Sequence, residues 1–123
     1  MKRMTKQRQA ILDCFKSSNR PLSVEEILKD AGSAVPQLNL ATVYRNLKLM
    51  MKEGMLAAVD LPGHNTRYEC VGLEHHHHFL CQSCNRLFDI EGCPEGISRL
   101  VPKGFKLISH ALTLAGLCLD CTN

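Results

Sequence analysis

The spacing of hydrophobic positions in the first half of the chain predicts three helices. Residues 5–17 carry apolar side chains at helical intervals, and Thr5 can cap their first turn. Residues 23–26 (Ser-Val-Glu-Glu) have the pattern of a capping box, which predicts a second helix that closes near Gly32. A third helix is expected to begin near Asn39 and to end at Gly54, with an apolar stripe formed by Leu40, Val43, Leu47 and Met50.

Two short extended runs follow these helices, at residues 55–60 and 66–70. The segment between them contains the pair Pro62-Gly63, which is typical of a turn, so the two runs are expected to pair as a hairpin. Three helices followed by a hairpin predict a winged-helix domain, which we place at residues 1–70.

The second half of the chain, residues 71–123, has a mixed pattern that predicts a small α/β domain. Residues 86–90 and 105–114 are typical of strands, and Pro94 can start a short helix that runs through Leu100. Such a unit has little core of its own, so a metal ion and a partner subunit would both stabilise it. The fold class is therefore predicted to be α+β, with a winged helix followed by a dimerisation domain.

A run of four histidines, residues 75–78, precedes the strand-like pair Phe79-Leu80. If the run continues a strand, His76 and His78 share one face, while His75 and His77 share the other. Two histidines at this spacing can bind one metal ion, and the run offers two such pairs on opposite faces. A solvated polar stretch is the alternative interpretation.

Composition is that of a folded protein, with 45% hydrophobic and 22% charged residues. No apolar stretch approaches the ~20 residues of a membrane span, and the first residues lack the apolar core of a signal peptide. We therefore expect a cytoplasmic protein with no membrane partner. In the cytoplasm, its seven cysteines are better suited to binding metal than to forming disulfides.

The net charge of +3 is unevenly distributed along the chain. Residues 1–56 contain ten Lys or Arg and five Asp or Glu, whereas residues 57–123 contain five and seven. All six histidines and six of the seven cysteines lie in the second part. The first part thus suits phosphate and the second suits metal, although charge and periodicity leave open whether the basic residues bind DNA or only keep the domain soluble.

Two CxxC pairs predict a closed zinc site formed by Cys81, Cys84, Cys118 and Cys121. Such a site has no open coordination position, so its role is structural. A redox CxxC is the alternative, but two pairs without a thioredoxin-like pattern favour zinc. No HxE or HExxH sequence places a general base beside an open metal, so neither an enzyme nor a small organic substrate is expected. A metal-buffering protein would have no use for the basic helical half.

Two further residues can join the pair His76 and His78 in a second metal site. Cys70 lies eleven residues before the first CxxC pair, and Asp89 lies five residues after it. A lone cysteine is more often a small buried hydrophobic residue, which makes Cys70 the weaker of the two by residue type. Cys14 is interpreted as a core residue, and the role of Cys93 is left open.

Taken together, these motifs make the chain resemble the ferric uptake regulator family over nearly its full length. The resemblance depends on Thr5-x-x-Arg8, on the ATVYRNL string at 41–47, on Arg67-Tyr68-Glu69, on the HHxHxxCxxC string at 75–84, and on the terminal CxxC pair. It implies a homodimer that binds a palindromic, AT-rich operator when loaded with metal and represses transcription of metal uptake genes. The residues that it implies for DNA contact are Arg3, Arg8, Thr42, Tyr44, Arg45 and Lys48. Within this set, Tyr44 would touch thymine methyl groups and Arg3 would enter the minor groove.

The same resemblance suggests which metal is sensed. Iron and peroxide sensors of the family usually draw a histidine from the second helix region, where this chain has Pro21-Leu22. Cys70 instead resembles the thiolate of zinc uptake regulators, and this favours regulatory Zn²⁺ over the alternatives Fe²⁺ and Mn²⁺. The sensing set expected on this basis is Cys70, His76, His78, Asp89 and Asp60, with His64 as the alternative to Asp60. Against zinc, Glu69 occupies a position where iron-type members supply a ligand.

An additional site found in some members is implied on the other strand face. Its expected ligands are His75, His77 and His110, with Glu95 nearby.

Overall fold

The computed structural model describes residues 5–72 and 75–122. The chain divides into two compact units, Met1–Gly72 and Leu73–Asn123, so the division falls two residues after the expected boundary. In the described part of the chain, no helix is long and apolar enough to cross a membrane.

The first unit contains α1 (Lys6–Ser18), α2 (Val24–Ala34) and α3 (Leu40–Lys52), followed by β1 (Leu56–Val59) and β2 (Arg67–Cys70). Each helix begins at the cap that the sequence predicts: Thr5 accepts a hydrogen bond from the Arg8 amide, Ser23 forms a capping box with Glu26, and Asn39 caps α3. The helix starts are thus determined locally.

The three helices and β1 enclose one hydrophobic core in the first unit. Its buried members include Ile11, Ile27, Val43 and Met50, and Cys14 is buried among them as expected. Leu40 is the exception to the predicted stripe of α3, since 39% of it is exposed at the first turn of that helix.

The hairpin is fixed to the helical core by its second strand. β1 and β2 pair antiparallel with Leu56 opposite Cys70, as the Pro-Gly turn predicts. Tyr68 also exchanges two backbone hydrogen bonds of 2.8 Å with Leu22, the residue just before the α2 cap, and its side chain packs against the core. The hairpin, which forms the wing of the winged helix, is therefore continuous with the helical core of its own unit.

The second unit is built on a three-stranded sheet of β3 (His76–Cys81), β4 (Leu87–Glu91) and β5 (Thr113–Gly116). The strand order is β4-β3-β5, with β3 antiparallel to β4 and parallel to β5. Two single-turn 3₁₀ helices, Ile97–Leu100 and Leu119–Cys121, complete the described elements.

Two predictions for the second unit were wrong in extent. The strand expected at 105–114 is reduced to Thr113–Gly116, and the helix expected from Pro94 is one 3₁₀ turn. A turn in which the Phe105 amide donates to the Pro102 carbonyl, with Gly104 at φ +86°, precedes the segment. Phe105 and Ile108 are 72% and 80% exposed, so the apolar residues there do not face this unit's core.

Few side chains are buried in the second unit. Among its described residues they are His77, Leu80, Cys81, Leu87 and Cys118. Two of the five are cysteines of the predicted zinc site, so the unit depends on groups that bind metal for much of its interior.

Candidate metal centres and nucleic-acid interface

The four cysteines of the two CxxC pairs come together in one cluster. Cys81 ends β3 and Cys84 lies in the tight turn to β4, where the Asn85 amide donates to the Cys81 carbonyl at 2.9 Å. Cys118 lies just before the last 3₁₀ turn, and Cys121 is the final residue of that turn. All four sulfur atoms lie within 4.8 Å of one another, and the Cys84 and Cys118 sulfurs are 3.8 Å apart. This arrangement fits a tetrahedral four-thiolate zinc site, as predicted.

Backbone amides prepare this cluster for a cation. The Cys84 and Cys118 amides donate to the Cys81 sulfur at 3.5 and 3.4 Å. These bonds, that of Cys84 first, lower the pKa of the Cys81 thiol to about 6, although burial acts in the opposite direction. For Cys121, a hydrogen bond from Ser83 acts downward, but the other three cysteines together raise its pKa to about 11. Four adjacent thiolates therefore need a bound cation to coexist.

Arg86 is the cationic neighbour of the four-cysteine cluster. Its guanidinium donates to the Cys84 sulfur at 3.1 Å, to the Cys118 sulfur at 3.6 Å and to the Asp120 carboxylate at 3.0 Å. Burial would raise the pKa of the Cys84 thiol, but hydrogen bonds from Arg86 lower it overall. A four-thiolate zinc site carries a net charge of −2, which this guanidinium partly offsets. Nothing in the sequence pattern distinguishes Arg86 from the other arginines of the chain.

A second cluster lies on one face of the β3–β4 pair. His76 and His78 share that face, with ring centroids 4.9 Å apart, and His78 is directly opposite Asp89. Their Nε2 atoms lie 3.6 and 3.4 Å from the same Asp89 Oδ1 atom. The side chains are 13–24% exposed, which leaves them accessible to an ion. Two imidazoles and a carboxylate form a nitrogen and oxygen ligand set suited to a divalent transition metal.

The opposite face of β3 carries a third cluster. His77 lies 3.3 Å from both the Cys93 sulfur and the His110 Nε2, while His110 lies 3.2 Å from His75 and 3.1 Å from the Cys93 sulfur. Burial, with a smaller contribution from His75 and His110, lowers the pKa of His77 and so favours the neutral imidazole that metals bind.

Cys93, not Glu95, completes this group. Glu95 is exposed on the same loop and is not a member of the cluster. In the sequence, Cys93 is only a cysteine without a matching CxxC partner. Its loop and the segment around His110 have no periodic pattern, so the sequence could not place them beside β3.

The ligands expected from the wing lie within the first unit. Asp60 accepts a hydrogen bond of 2.8 Å from the Thr66 hydroxyl across the hairpin loop, and His64 lies in that loop. Cys70 is exposed at the end of β2, opposite Leu56. Because strand neighbours point to opposite faces, Cys70 shares the core-side face of Leu56 and Tyr68, whereas Glu69 projects from the other face.

Helix α3 presents an uninterrupted basic face. Tyr44, Arg45 and Lys48 are exposed, and Lys48 lies three residues after Arg45 and four after Tyr44, on the same side of the helix. Thr42 is half-buried at the capped start of α3, where its amide donates to the Asn39 side chain at 2.9 Å. The helix contains no acidic residue, so nothing within it opposes an approach to phosphate.

Arg8 has partners within its own unit. Its side chain is buried, forms an ion pair with Glu53 just after α3, and donates to the Met55 sulfur at 3.1 Å. This guanidinium joins α1 to the start of the hairpin, and its expected contact with DNA stays a prediction. Arg3, the other arginine expected at DNA from the N-terminal region, lies outside the described residues.

Comparison with known proteins identifies the family of the chain. The family model of the "Ferric uptake regulator family" matches residues 1–115. The ferric uptake regulation protein of Campylobacter jejuni is 33% identical over 97% of this chain and 79% of its own, and the peroxide operon regulator of Bacillus subtilis is 29% identical over 98% and 84%.

Solved structures match along the whole chain as well. The Helicobacter pylori ferric uptake regulator, which has three functional metal-binding sites, superposes with a TM-score of 0.73 at 29% identity, covering 98% of this chain and 83% of its own. A zinc-bound manganese uptake regulator superposes with a TM-score of 0.79 at 30% identity, covering 96% and 92%. The chain therefore belongs to the ferric uptake regulator family and is a metal-responsive transcriptional regulator.

Proposed function

We propose that this protein is a repressor that binds palindromic, AT-rich operator DNA as a homodimer when a regulatory metal ion is bound, and so controls metal uptake genes. The observation that carries the proposal is the cluster of His76, His78 and Asp89, an accessible metal-binding group in a chain whose other unit exposes a basic helix. The protein would act by binding, not by catalysis.

The four-cysteine cluster would hold a structural zinc ion. Its four thiolates complete the tetrahedral coordination that zinc prefers, and they leave no position at which water could be activated. Bound zinc would join the β3–β4 turn to the C-terminal 3₁₀ turn and so close the second unit.

The second unit would also form the homodimer. In the sheet order β4-β3-β5, β5 is an edge strand among the described residues, and its Leu114 is 47% exposed. Several other large apolar side chains of this unit are exposed: Leu100, Phe105, Leu107, Ile108, Leu117 and Leu119. This much apolar surface on about fifty residues supports burial against a second copy.

The DNA interface would be the exposed face of α3. Tyr44 and Arg45 would enter the major groove, with Thr42 and Lys48 beside them at the groove edge. In a dimer, two such helices read the two halves of a palindrome, so their separation determines whether both can bind at once. A metal ion that draws a further ligand from the wing would control that separation, and metal and DNA would then tighten each other's binding.

The identity of the regulatory metal depends on which residue of β2 serves as that further ligand. Zinc sensing would use Cys70, with Asp60 or His64 from the hairpin loop. A second candidate, sensing of ferrous or manganous ions or of peroxide, would use Glu69. Glu69 and Cys70 are neighbours in β2 and point to opposite faces of the strand, so they are alternative ligands. Relatives named for iron, peroxide and manganese regulation support the second candidate.

The experiment compares Cys70→Ser with Glu69→Gln, each keeping the side-chain size. Binding to an AT-rich inverted-repeat duplex is measured anaerobically against buffered free Zn²⁺, Fe²⁺ and Mn²⁺. If Glu69 is the ligand, Glu69→Gln loses its response to Fe²⁺ or Mn²⁺, and Cys70→Ser keeps the wild-type response. If Cys70 is the ligand, Cys70→Ser loses its response to zinc. A wild-type response in both variants would refute a β2 ligand.

A further inference from the structure

We propose that Cys93 makes the third cluster a thiolate-containing zinc site, with a metal preference different from that of the regulatory site. The family resemblance implies an additional site at this position. What is new here is that Cys93 is the fourth ligand, that this thiolate selects zinc, and that the ion restrains the segment leading into β5. This proposal rests on one part of the proposed function, namely that the second unit binds metal. It does not depend on which metal controls DNA binding.

The four donor atoms have the separations of a four-coordinate site. The measured contacts among His75, His77, His110 and Cys93 are 3.1–3.3 Å, and all four donor atoms lie within 4.8 Å of one another. Zinc bonds of about 2.1 Å to nitrogen and 2.3 Å to sulfur place tetrahedral ligands roughly 3.4–3.7 Å apart. The four measured contacts therefore need to lengthen by only a few tenths of an ångström to receive the ion.

The ligand types decide which ion fits best. A carboxylate such as Glu95 would have made an oxygen-containing site open to manganous and ferrous ions, whereas a thiolate with three imidazoles prefers zinc. The face of β3 that carries His76 and His78 has Asp89 as its anionic ligand, and the described strand residues of the sheet place no thiol on that face. The two faces of one strand thus present different ligand chemistry, and the third cluster would hold zinc even if another metal is sensed.

The ion would connect three separate segments of the second unit. His77 lies in β3 and His75 just before it, Cys93 lies in the loop after β4, and His110 lies in the segment without helix or strand that leads into β5. His110 is three residues before the start of β5, the edge strand proposed for dimerisation. Zinc at this cluster would therefore restrain residues 101–112 and the entry to β5.

Cobalt spectroscopy tests the proposed thiolate directly. Co²⁺ is added to protein whose four-cysteine site holds zinc, in a Cys70→Ser background. Outside that site the remaining thiols are then Cys93 and Cys14, and Cys14 is buried in the first unit's core. We expect a thiolate-to-cobalt charge-transfer band and strong visible bands of four-coordinate Co²⁺. We also expect zinc, but not excess Mn²⁺, to remove both.

Three variants separate the proposal from its rivals. Cys93→Ser should lose the charge-transfer band, and His110→Asn should lose it too, while Glu95→Gln, on the same exposed loop, should keep it. Retention of the band in Cys93→Ser, or its loss in Glu95→Gln, would overturn the assignment. An unchanged cobalt spectrum in every variant would also overturn it, because the cluster would then be only a hydrogen-bonded group.

Amide hydrogen exchange provides a second readout that is independent of DNA. Zinc should slow exchange across residues 101–112 in wild-type protein and in Glu95→Gln, and should have no effect there in Cys93→Ser. Equal protection in all three proteins would contradict the connection between segments. Failure of the proposed repressor function would appear separately, as DNA binding that no metal affects.

Discussion

Three arginines of this chain illustrate how surroundings decide the role of one residue type. Arg8 is buried against Glu53, Arg86 lies across two cysteine sulfurs, and Arg45 projects from α3. In sequence they are three equal positive charges. Glu53 lies 45 residues from Arg8, and Arg86 has one sulfur partner two residues away and another 32 residues away. These partners give Arg8 a structural role and make Arg86 a counter-charge to thiolates, whereas the exposed Arg45 is the one proposed to contact DNA.

Arg86→Met should accelerate zinc loss from the four-cysteine site. The change keeps much of the side-chain length but removes the charge that offsets the thiolates, a contribution of about 1.4 kcal/mol, or roughly tenfold in rate. Zinc transfer to a chromogenic chelator measures it, with exposed Arg99→Met as the control. Release at the wild-type rate would show that Arg86 does not stabilise the site.

Arg8→Met should destabilise the first unit without changing how DNA binding depends on salt. Loss of a partly buried ion pair and hydrogen bond costs about 1–3 kcal/mol in the free energy of unfolding, which urea titration measures. Arg45→Ala is the contrasting variant, with little change in stability and weaker DNA binding. If Arg8→Met instead kept full stability and reduced the salt dependence, Arg8 would be a phosphate contact after all.

Tyr44→Ala and Lys48→Ala should weaken DNA binding in different ways. Tyr44 is expected to read bases, so its loss should weaken binding to the AT-rich inverted repeat more than to a GC-rich duplex. Lys48 is expected to contact phosphate, so its loss should weaken both equally and reduce the slope of log affinity against log salt by about one. Equal losses on both duplexes for Tyr44→Ala would remove it from base recognition.

At the scale of elements, local signals predicted most of the fold. The caps at Thr5, Ser23 and Asn39 and the alternation of the histidine run involve residues close in sequence, and the structure confirms them. The segment 105–112 was not predictable in this way. Its apolar residues resemble a strand but face away from the unit's own core. Cys93 and His110 each reach His77 through an irregular segment, the first after β4 and the second before β5.

Cys81→Ser or Cys118→Ser should unfold the second unit and abolish the dimer while leaving α1–α3 intact. Both side chains are buried in a unit with little other core, so the loss of one thiolate removes packing and metal together. Size-exclusion chromatography gives the oligomeric state, and amide exchange shows which helices and strands remain protected. A folded, zinc-free dimer would contradict a structural role for this site.

At the scale of the whole molecule, most basic residues lie in the first unit and most candidate metal ligands lie in the second. The first unit has a self-contained core and carries the exposed face of α3. The second unit contains the four-cysteine cluster, the cluster of His75, His77, Cys93 and His110, and the group His76, His78 and Asp89. This arrangement suits the proposed function, since a regulatory ion could be bound and released without disturbing the fold of α3.

The most direct test of this account is the affinity for an AT-rich inverted-repeat duplex, measured by fluorescence anisotropy with and without buffered free metal. Wild-type protein and His78→Ala are compared, both with zinc in the four-cysteine site. We predict that the sensed metal tightens wild-type binding roughly a hundredfold, a coupling of about 3 kcal/mol, and leaves His78→Ala unchanged. Wild-type affinity that is the same with and without every metal tested, or an equal response in His78→Ala, would contradict control by this site.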